Sequence, residues 1–322
     1  MEKENGKRIT GGKEPRQKKP KKPSRLTRQQ KILIAVAAVL AVVLIVVVAC
    51  QSLFVRPELP GKDTETEKEE IDYGEGVRPK SSGERKSEDY YTVLILGRDT
   101  GGGGNTDTLM LAAYDVPNQK LSVMSLPRDT YVIYNGRTVM INSVYSRGGG
   151  EEGGVEALKK AVGSLTGVTP DFYVLVEWEA VGELVDAIGG VYFDVPRRMY
   201  YNDLSQHFKI DLQPGYQLLD GNGAMGVLRW RHNSDDSGHI LNSGYAMGDL
   251  GRIETQQAFL KAVIEKCLNS ISLGTIPKMA QIFLDNVDTN GSLTVNNLAW
   301  FAKEAIVGGL SMENVHFMTL PN

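Results

Sequence analysis

Two cysteines in 322 residues leave no room for a disulfide framework. Cys50 closes an apolar run, and Cys267 sits in a helical, apolar pattern that suits a buried structural thiol. Histidine is almost as scarce: His207, His232, His239 and His316 show no zinc-ligand spacing. No serine or cysteine nucleophile motif is present. The glycine run at 101 to 104 lacks the Lys-Ser/Thr that completes a nucleotide P-loop, so no nucleotide partner is expected. The stretch NVDTNGSLTVNN (286 to 297) imitates a calcium loop. It carries Asn286 at position one and Asn297 where a bidentate glutamate belongs, which argues against calcium. Internal repeats are absent as well.

Net charge is low, −3, but unevenly spread. Residues 1 to 31 hold 12 Lys and Arg against three Asp and Glu, a surplus of nine that leaves −12 on the rest. That Pro- and Lys-rich tail has almost no apolar content and reads as disordered. The next segment argues against a nucleic-acid arm. Residues 32 to 49, ILIAVAAVLAVVLIVVVA, are 18 consecutive apolar residues. As a helix they nearly match the roughly 30 Å hydrocarbon core of a bilayer. Leu53-Phe54-Val55 extends the run, so a transmembrane helix is expected over 32 to 54. The basic flank places the tail in the cytoplasm and the remainder outside. A cleaved signal would have an unusually long amino-terminal region, and Val47-Val48-Ala49-Cys50 also resembles a lipid-attachment site. A retained single-pass anchor is the reading adopted, and each alternative that keeps an anchor still tethers the chain to a bacterial membrane.

Residues 55 to 89 are charged, with Pro and Gly, and read as a flexible linker. From 90 to 322 the pattern is that of one compact domain. Strands are expected at 91–96, 108–114, 120–126, 172–177, 191–195 and 315–320. Helical periodicity marks 155–165, 179–188, 252–271, 277–287 and 293–306. Their alternation implies an α/β fold, a single layered α-β-α domain with a central mixed sheet.

Several short stretches carry chemistry. LGRDTGGGGNTDTLML (96 to 111) sets Asp99 and Asp107 on either side of four glycines. The two carboxylates suit a hard cation, or they serve as turn residues. In SLPRDTYV (125 to 132) Pro127 ends a strand and leaves Arg128 and Asp129 at its carboxyl edge, where open α/β sheets bind ligands. A rim salt bridge between the two is the plainer alternative. VDAIGGVYFDVP (185 to 196) reads as structural, a helix cap and αβ turn with Asp186 and Asp194 capping or pairing locally. VLRWRH places Arg229 and Arg231 on one face, opposite Trp230, if extended. GDLGRIETQQ brings Asp249, Arg252 and Gln256 to the start of a long helix, with Arg252 and Gln256 one turn apart. Arginines beside a helix amino terminus suit a multiply charged anion.

Taken in order, LILGRD, NTDTLMLAAYD, LSVMSLPRDTYV, VDAIGGVYFDVP, LDGNGAMGVLRWRH and GDLGRIETQQ resemble the blocks of the LytR-CpsA-Psr family, from about residue 90 to 266. The resemblance implies a phosphotransferase. It would move a glycopolymer, teichoic-acid-like or capsular, from a polyprenyl-diphosphate carrier to peptidoglycan at the membrane's outer face. It further implies that Asp99 and Asp107 bind magnesium (or manganese) at the diphosphate. Arg128, Arg229, Arg231, Arg252 and Asp249 would be catalytic, with Gln256 and Asn105 also contacting substrate. Asn105 and Thr255 stand where many members have arginine, and the insert at 232 to 247 is longer than usual. The base for the attacking hydroxyl is Asp99, Asp107 or Asp249. An apolar groove for the prenyl chain is expected from 155–165 and 180–188, although such stripes also serve as plain core. Two non-catalytic alternatives are an envelope sensor that regulates transcription and a polyprenyl-lipid-binding module.

Overall fold

The computed structural model of the chain describes residues 52–60, 87–98, 106–204, 207–289 and 291–321. The basic tail, the apolar run at 32–49, Cys50, Asp99 and Asn105 lie outside the described residues. Among those described, no helix is long and apolar enough to cross a membrane.

The chain opens with β1 (Tyr90–Arg98), β2 (Thr106–Asp115) and β3 (Lys120–Ser125), then a small hairpin of β4 (Tyr131–Tyr134) and β5 (Arg137–Met140). A short α1 (Val144–Arg147) and a long α2 (Glu151–Thr166) lead to β6 (Phe172–Glu177). There follow α3 (Trp178–Ala187), β7 (Val191–Val195), β8 (Met199–Asp203), β9 (Phe208–Leu212), β10 (Gly215–Leu219) and α4 (Gly221–Arg229). The last third holds α5 (Asp249–Ser270), α6 (Ile276–Asp285), β11 (Val287–Asp288), α7 (Val295–Gly308) and β12 (Val315–Thr319).

Six strands form one mixed sheet in the order β11-β6-β1-β2-β3-β12. β1 runs parallel to β6, and β3 parallel to β12, while β2 is antiparallel to both its neighbours. The near-continuous apolar runs of β1 and β6 follow from burial on both faces. Leu94 and Leu96 of β1 join Tyr173 and Leu175 of β6 on one side, beneath Val155, Leu158 and Val162 of α2. That α2 stripe, expected to line a lipid groove, is packed into this core. On the other side Tyr91, Phe172 and Val174 meet Trp300 of α7. The rings of Tyr91 and Phe301 stand edge to face at 5.0 Å. The expected layered α-β-α arrangement around a mixed sheet is therefore present. Asp171, buried just before β6, accepts from the backbone nitrogen and the hydroxyl of Thr92, each at 2.8 Å, and so locks the β1–β6 register.

A second core lies outside this sheet. Among the described residues β7 pairs only with β10, and Val191, Phe193 and Val195 bury among Leu219, Ala224, Val227, Trp230 and Phe259. The glycine turn after α3 is as expected: Gly189 and Gly190 both have positive φ, and a Cβ on Gly190 would come within 2.9 Å of Leu219 O. Asp186, however, acts at long range. Its Oδ1 accepts from Gly221 N at 2.8 Å, fastening the start of α4 to the end of α3. VLRWRH is not one strand either. α4 continues through Arg229, and the chain turns extended only at Trp230, whose ring is buried.

Residues before β1 also belong to this body. Phe54 and Leu59 pack on the α6–α7 side. Val55 N donates to Asn296 O at 3.1 Å, and Asn297 Nδ2 donates to Val55 O at 3.0 Å. Asn297 further closes the capping box of α7 with Thr294, which is the structural use of the calcium-loop look-alike.

Candidate anion-binding site

Strand directions gather the loop motifs at one edge of the sheet. Since β1 and β3 both run antiparallel to β2, their carboxyl ends lie together with the amino end of β2. Arg128 follows β3, Asp107 is the second residue of β2, and position 99 follows β1 directly. A β-bulge falls there, with Gly97 opposite Thr108 and Arg98 opposite Thr106, so Asp107 is the residue left over. Bulges re-aim side chains beside functional sites. Gly97 is needed for this close approach, because a Cβ would lie 2.9 Å from Thr108 Cβ. Only the backbone of Asp107 is described. Its neighbours Thr106 and Thr108 each bury a hydroxyl oxygen that has no hydrogen-bond partner among the described residues.

The first turn of α5 is brought to the same edge. Gln257 Nε2 donates to Ser125 Oγ at the end of β3 and to Met318 O of β12, both at 2.9 Å. There Arg252 Nη2 meets Asp249 Oδ1 at 2.6 Å, and Arg128 Nε lies 3.9 Å from that same oxygen. Arg128 also stands 3.8 Å from Asp129 Oδ1, so the rim pair expected from sequence exists beside the longer-range one. Arg252 is 4% exposed, whereas Arg128 and Asp249 are 28% and 27% exposed. One guanidinium is thus a buried fixture, and the other faces the solvent side of the cluster. Backbone bonds from Thr130 N to Pro127 O and from Asn142 N to Arg128 O hold the arginine's loop against the β5 end.

A set of contacts absent from the sequence reading supports the start of α5. Arg197 spreads its guanidinium over the rings of Trp230 and Tyr245, at 5.1 and 5.9 Å, and donates to Gly244 O at 2.8 Å. Tyr245 in turn lies against Gly251, where an added Cβ would meet Tyr245 Cβ at 2.8 Å. Burial pushes the Tyr245 phenol up, so it stays protonated. Gly248, at positive φ, then turns the chain into the helix. Arg197 lies beyond the VDAIGGVYFDVP block, and no local pattern announces its role.

The remaining expected residues are placed differently. Gln256 is buried and donates to Leu228 O at 3.1 Å, tying α5 to α4. The next residue, Arg229, stacks on Phe208 with 4.3 Å from guanidinium carbon to ring centre. Arg231 is exposed past the end of α4. Since Gln256 is one turn, about 6 Å, beyond Arg252, the end of α4 meets α5 close to the Arg128–Asp249–Arg252 cluster. Asp99 and Asn105 lie outside the described residues.

A mixed α/β sheet carries, at its carboxyl edge and at a helix amino terminus, two guanidinium groups held by one carboxylate, an arrangement whose chemistry suits an anion. The particular family follows from comparison. The LytR_cpsA_psr family model matches residues 60–322, and the chain belongs to that family. Among relatives, regulatory protein MsrR of Staphylococcus aureus (strain COL) is 29% identical over 214 residues, covering 65% of this chain and 59% of that protein. Polyisoprenyl-teichoic acid--peptidoglycan teichoic acid transferase TagV of Bacillus subtilis (strain 168) is 25% identical over 239 residues, covering 71% and 56%. The chain therefore spans less than two thirds of the length of these relatives. The crystal structure of B. subtilis TagV shares the fold, with a TM-score of 0.57 and 22% identity over 72% of this chain and 85% of that one. A LytR-Csp2A-Psr enzyme from Actinomyces oris does so with a TM-score of 0.56 and 20% identity, covering 72% and 80%.

Proposed function

We propose that this chain is a phosphotransferase that moves an anionic glycopolymer from a polyprenyl-diphosphate carrier to peptidoglycan. The observation that carries the reading is the Arg128–Asp249–Arg252 cluster at the carboxyl edge of the sheet. The name of the Bacillus relative, a teichoic acid transferase, supports it. The apolar run at 32 to 49 would anchor the chain, the expected end at 54 being too late because Phe54 packs into the folded body. The basic tail would lie in the cytoplasm and the folded domain outside, where a membrane-borne lipid donor is reachable.

Carboxylate and hydroxyl oxygens are the donor types that suit a hard cation. Asp107 sits at a bulge beside the end of β1, Asp99 follows that end, and threonine hydroxyls flank Asp107. Asp99 and Asp107 would hold magnesium or manganese, which would neutralise diphosphate charge. The chain's own residues do the rest. Arg252, buried and aligned by Asp249, offers a preset fork of donors to phosphate oxygens. Arg128, more exposed, closes on the diphosphate from the β3 side. Arg229, Arg231 and Asn105 would extend the anion contacts. Donors fixed before substrate arrives stabilise the charge that develops in phosphoryl transfer. With Oδ1 engaged by Arg252, Asp249 orients the arginines, and the proton-accepting role would fall to Asp99, Asp107 or the second oxygen of Asp249.

The test is polymer attachment to peptidoglycan in cells carrying Asp99→Ala with Asp107→Ala. Loss of attachment with normal protein level is expected, and full attachment would sink the reading. A second reading follows from the name of the staphylococcal relative, a regulatory protein. It predicts that the same double variant keeps its effect on transcription while polymer attachment proves irrelevant to it.

A further inference from the structure

A cavity of about 650 Å3 opens where α4 begins, between α3, β9 and β10. Asp186, Asp220, Gln217, Asn222, Lys209 and Leu218 are among its lining. Two of these carboxylates are preset by backbone. Asp186 Oδ1 accepts from Gly221 N and Asp220 Oδ1 from Gly223 N, each at 2.8 Å. Each has a second oxygen with which to accept from a hydroxyl. Lys209 lies 3.9 Å from Asp211, which also pairs with Arg198 at 2.6 Å, so the one lining ammonium sits among opposite charges.

Leu218 joins the cavity to a second feature. It is paired with Tyr192 across the β7–β10 ribbon, and Tyr216 is paired with Asp194. On this outer face Tyr192 and Tyr216 are 56% and 74% exposed, yet their rings stack, with centroids 5.4 Å apart and 14° between the ring planes. Two exposed, mutually stacked tyrosine rings offer apolar ring surface beside preset hydrogen-bonding groups. That pairing matches a sugar ring, which has apolar C–H faces and a rim of hydroxyls. The carboxylates around it disfavour an anionic ligand.

We infer that this ribbon and cavity form a binding subsite for an uncharged saccharide segment, with the tyrosines as platform and Asp186, Asp220 and Asn222 as hydroxyl and amide contacts. The inference deepens the transferase reading and rests on it for its role. α4 connects the two places: it starts at the cavity and ends eight residues later at Arg229, about 12 Å along its axis. A glycan held here would be steered toward the arginines without itself needing charge.

The test measures binding of the neutral tetramer of N-acetylglucosamine to the full chain in detergent, with no lipid-linked donor present. Saturable binding is expected, weakened at least about tenfold, or roughly 1.4 kcal/mol, by Tyr192→Ala with Tyr216→Ala. The paired Tyr→Phe variants should retain it, and polyglycerol phosphate should not compete. No binding at millimolar tetramer, or equal binding by the double alanine variant, overturns the subsite. Because no transfer occurs in this assay, failure of the transferase reading leaves its outcome unchanged. In a transfer assay the double alanine variant should raise KM with kcat unaltered. A rise for the acceptor glycan identifies the segment as acceptor, a rise for the lipid-linked polymer identifies it as donor, and an unchanged KM for both overturns the assigned role.

Discussion

Arg252 is where chemistry and folding meet on one side chain. It is buried, and its charge is balanced by Asp249 three residues earlier. Arg252→Ala should lower transfer by about 100- to 1,000-fold, the range seen when one preorganised donor is removed from an anionic transition state. Arg252→Lys should recover little of this, because an ammonium cannot reproduce the two-pronged contact. Initial rates with a lipid-linked donor check both. Cys267 offers a structural counterpart. Burial raises its thiol pKa, so at pH 8 the folded chain holds less thiolate than an unfolded one. Alkylation of Cys267, followed by peptide mapping, should be slow in the native chain and accelerate in urea. Most of the clustered residues were legible one by one. Asp249 and Arg252 even sit at a helical spacing that makes their pairing readable. That Arg128 would reach the same carboxylate oxygen was not, since 121 residues separate Arg128 from Asp249.

Among the elements, α5 matters most to the site. Gly251 is its tight point, so Gly251→Ala should drive a methyl into Tyr245 Cβ and destabilise the fold by about 1–3 kcal/mol. Denaturant melting reads this directly. Gln257→Ala should affect the site more than the fold, because it releases α5 from Ser125 and Met318 while leaving the Gln256–Leu228 bond intact. Its expected signature is reduced turnover with a nearly unchanged melting midpoint. The sequence pointed to Gln256, but a helix turns 100° between neighbours, and only packing told which glutamine faces the sheet. The β7–β10 ribbon and the β8–β9 hairpin show the same limit. Their five-residue strands carry no signal of which partner they will pair with, so β7 read as one more strand of the alternating series.

For the whole molecule, the boundary of the folded body lies earlier than composition suggests. Phe54 and Leu59 pack on the α6–α7 side although the charged stretch that follows reads as linker. A chain starting at residue 61 should melt lower than one starting at residue 52. Two half-buried side chains contribute roughly 2 kcal/mol, which in a domain of this size is on the order of 4–8 °C. Scanning calorimetry on the two truncations decides it, and equal midpoints would show that the strap carries no stability.

What the sequence determined by itself was local and periodic. Apolar runs buried on two faces marked β1 and β6, helical stripes marked α2, α5 and α7, and glycine pairs marked the turn into β7. Ordered blocks of Asp, Arg and Gly identified the family, because each block is contiguous in the chain. The tertiary structure decided which of those blocks touch. The antiparallel pairing of β1, β2 and β3 sends their loops to one edge, and the Gln257 and Arg128–Asp249 contacts bring α5 there. Convergence of this kind depends on contacts between residues far apart in sequence. No window of neighbouring residues contains it, and so the site was readable as a set of candidates and became an arrangement only in the folded chain.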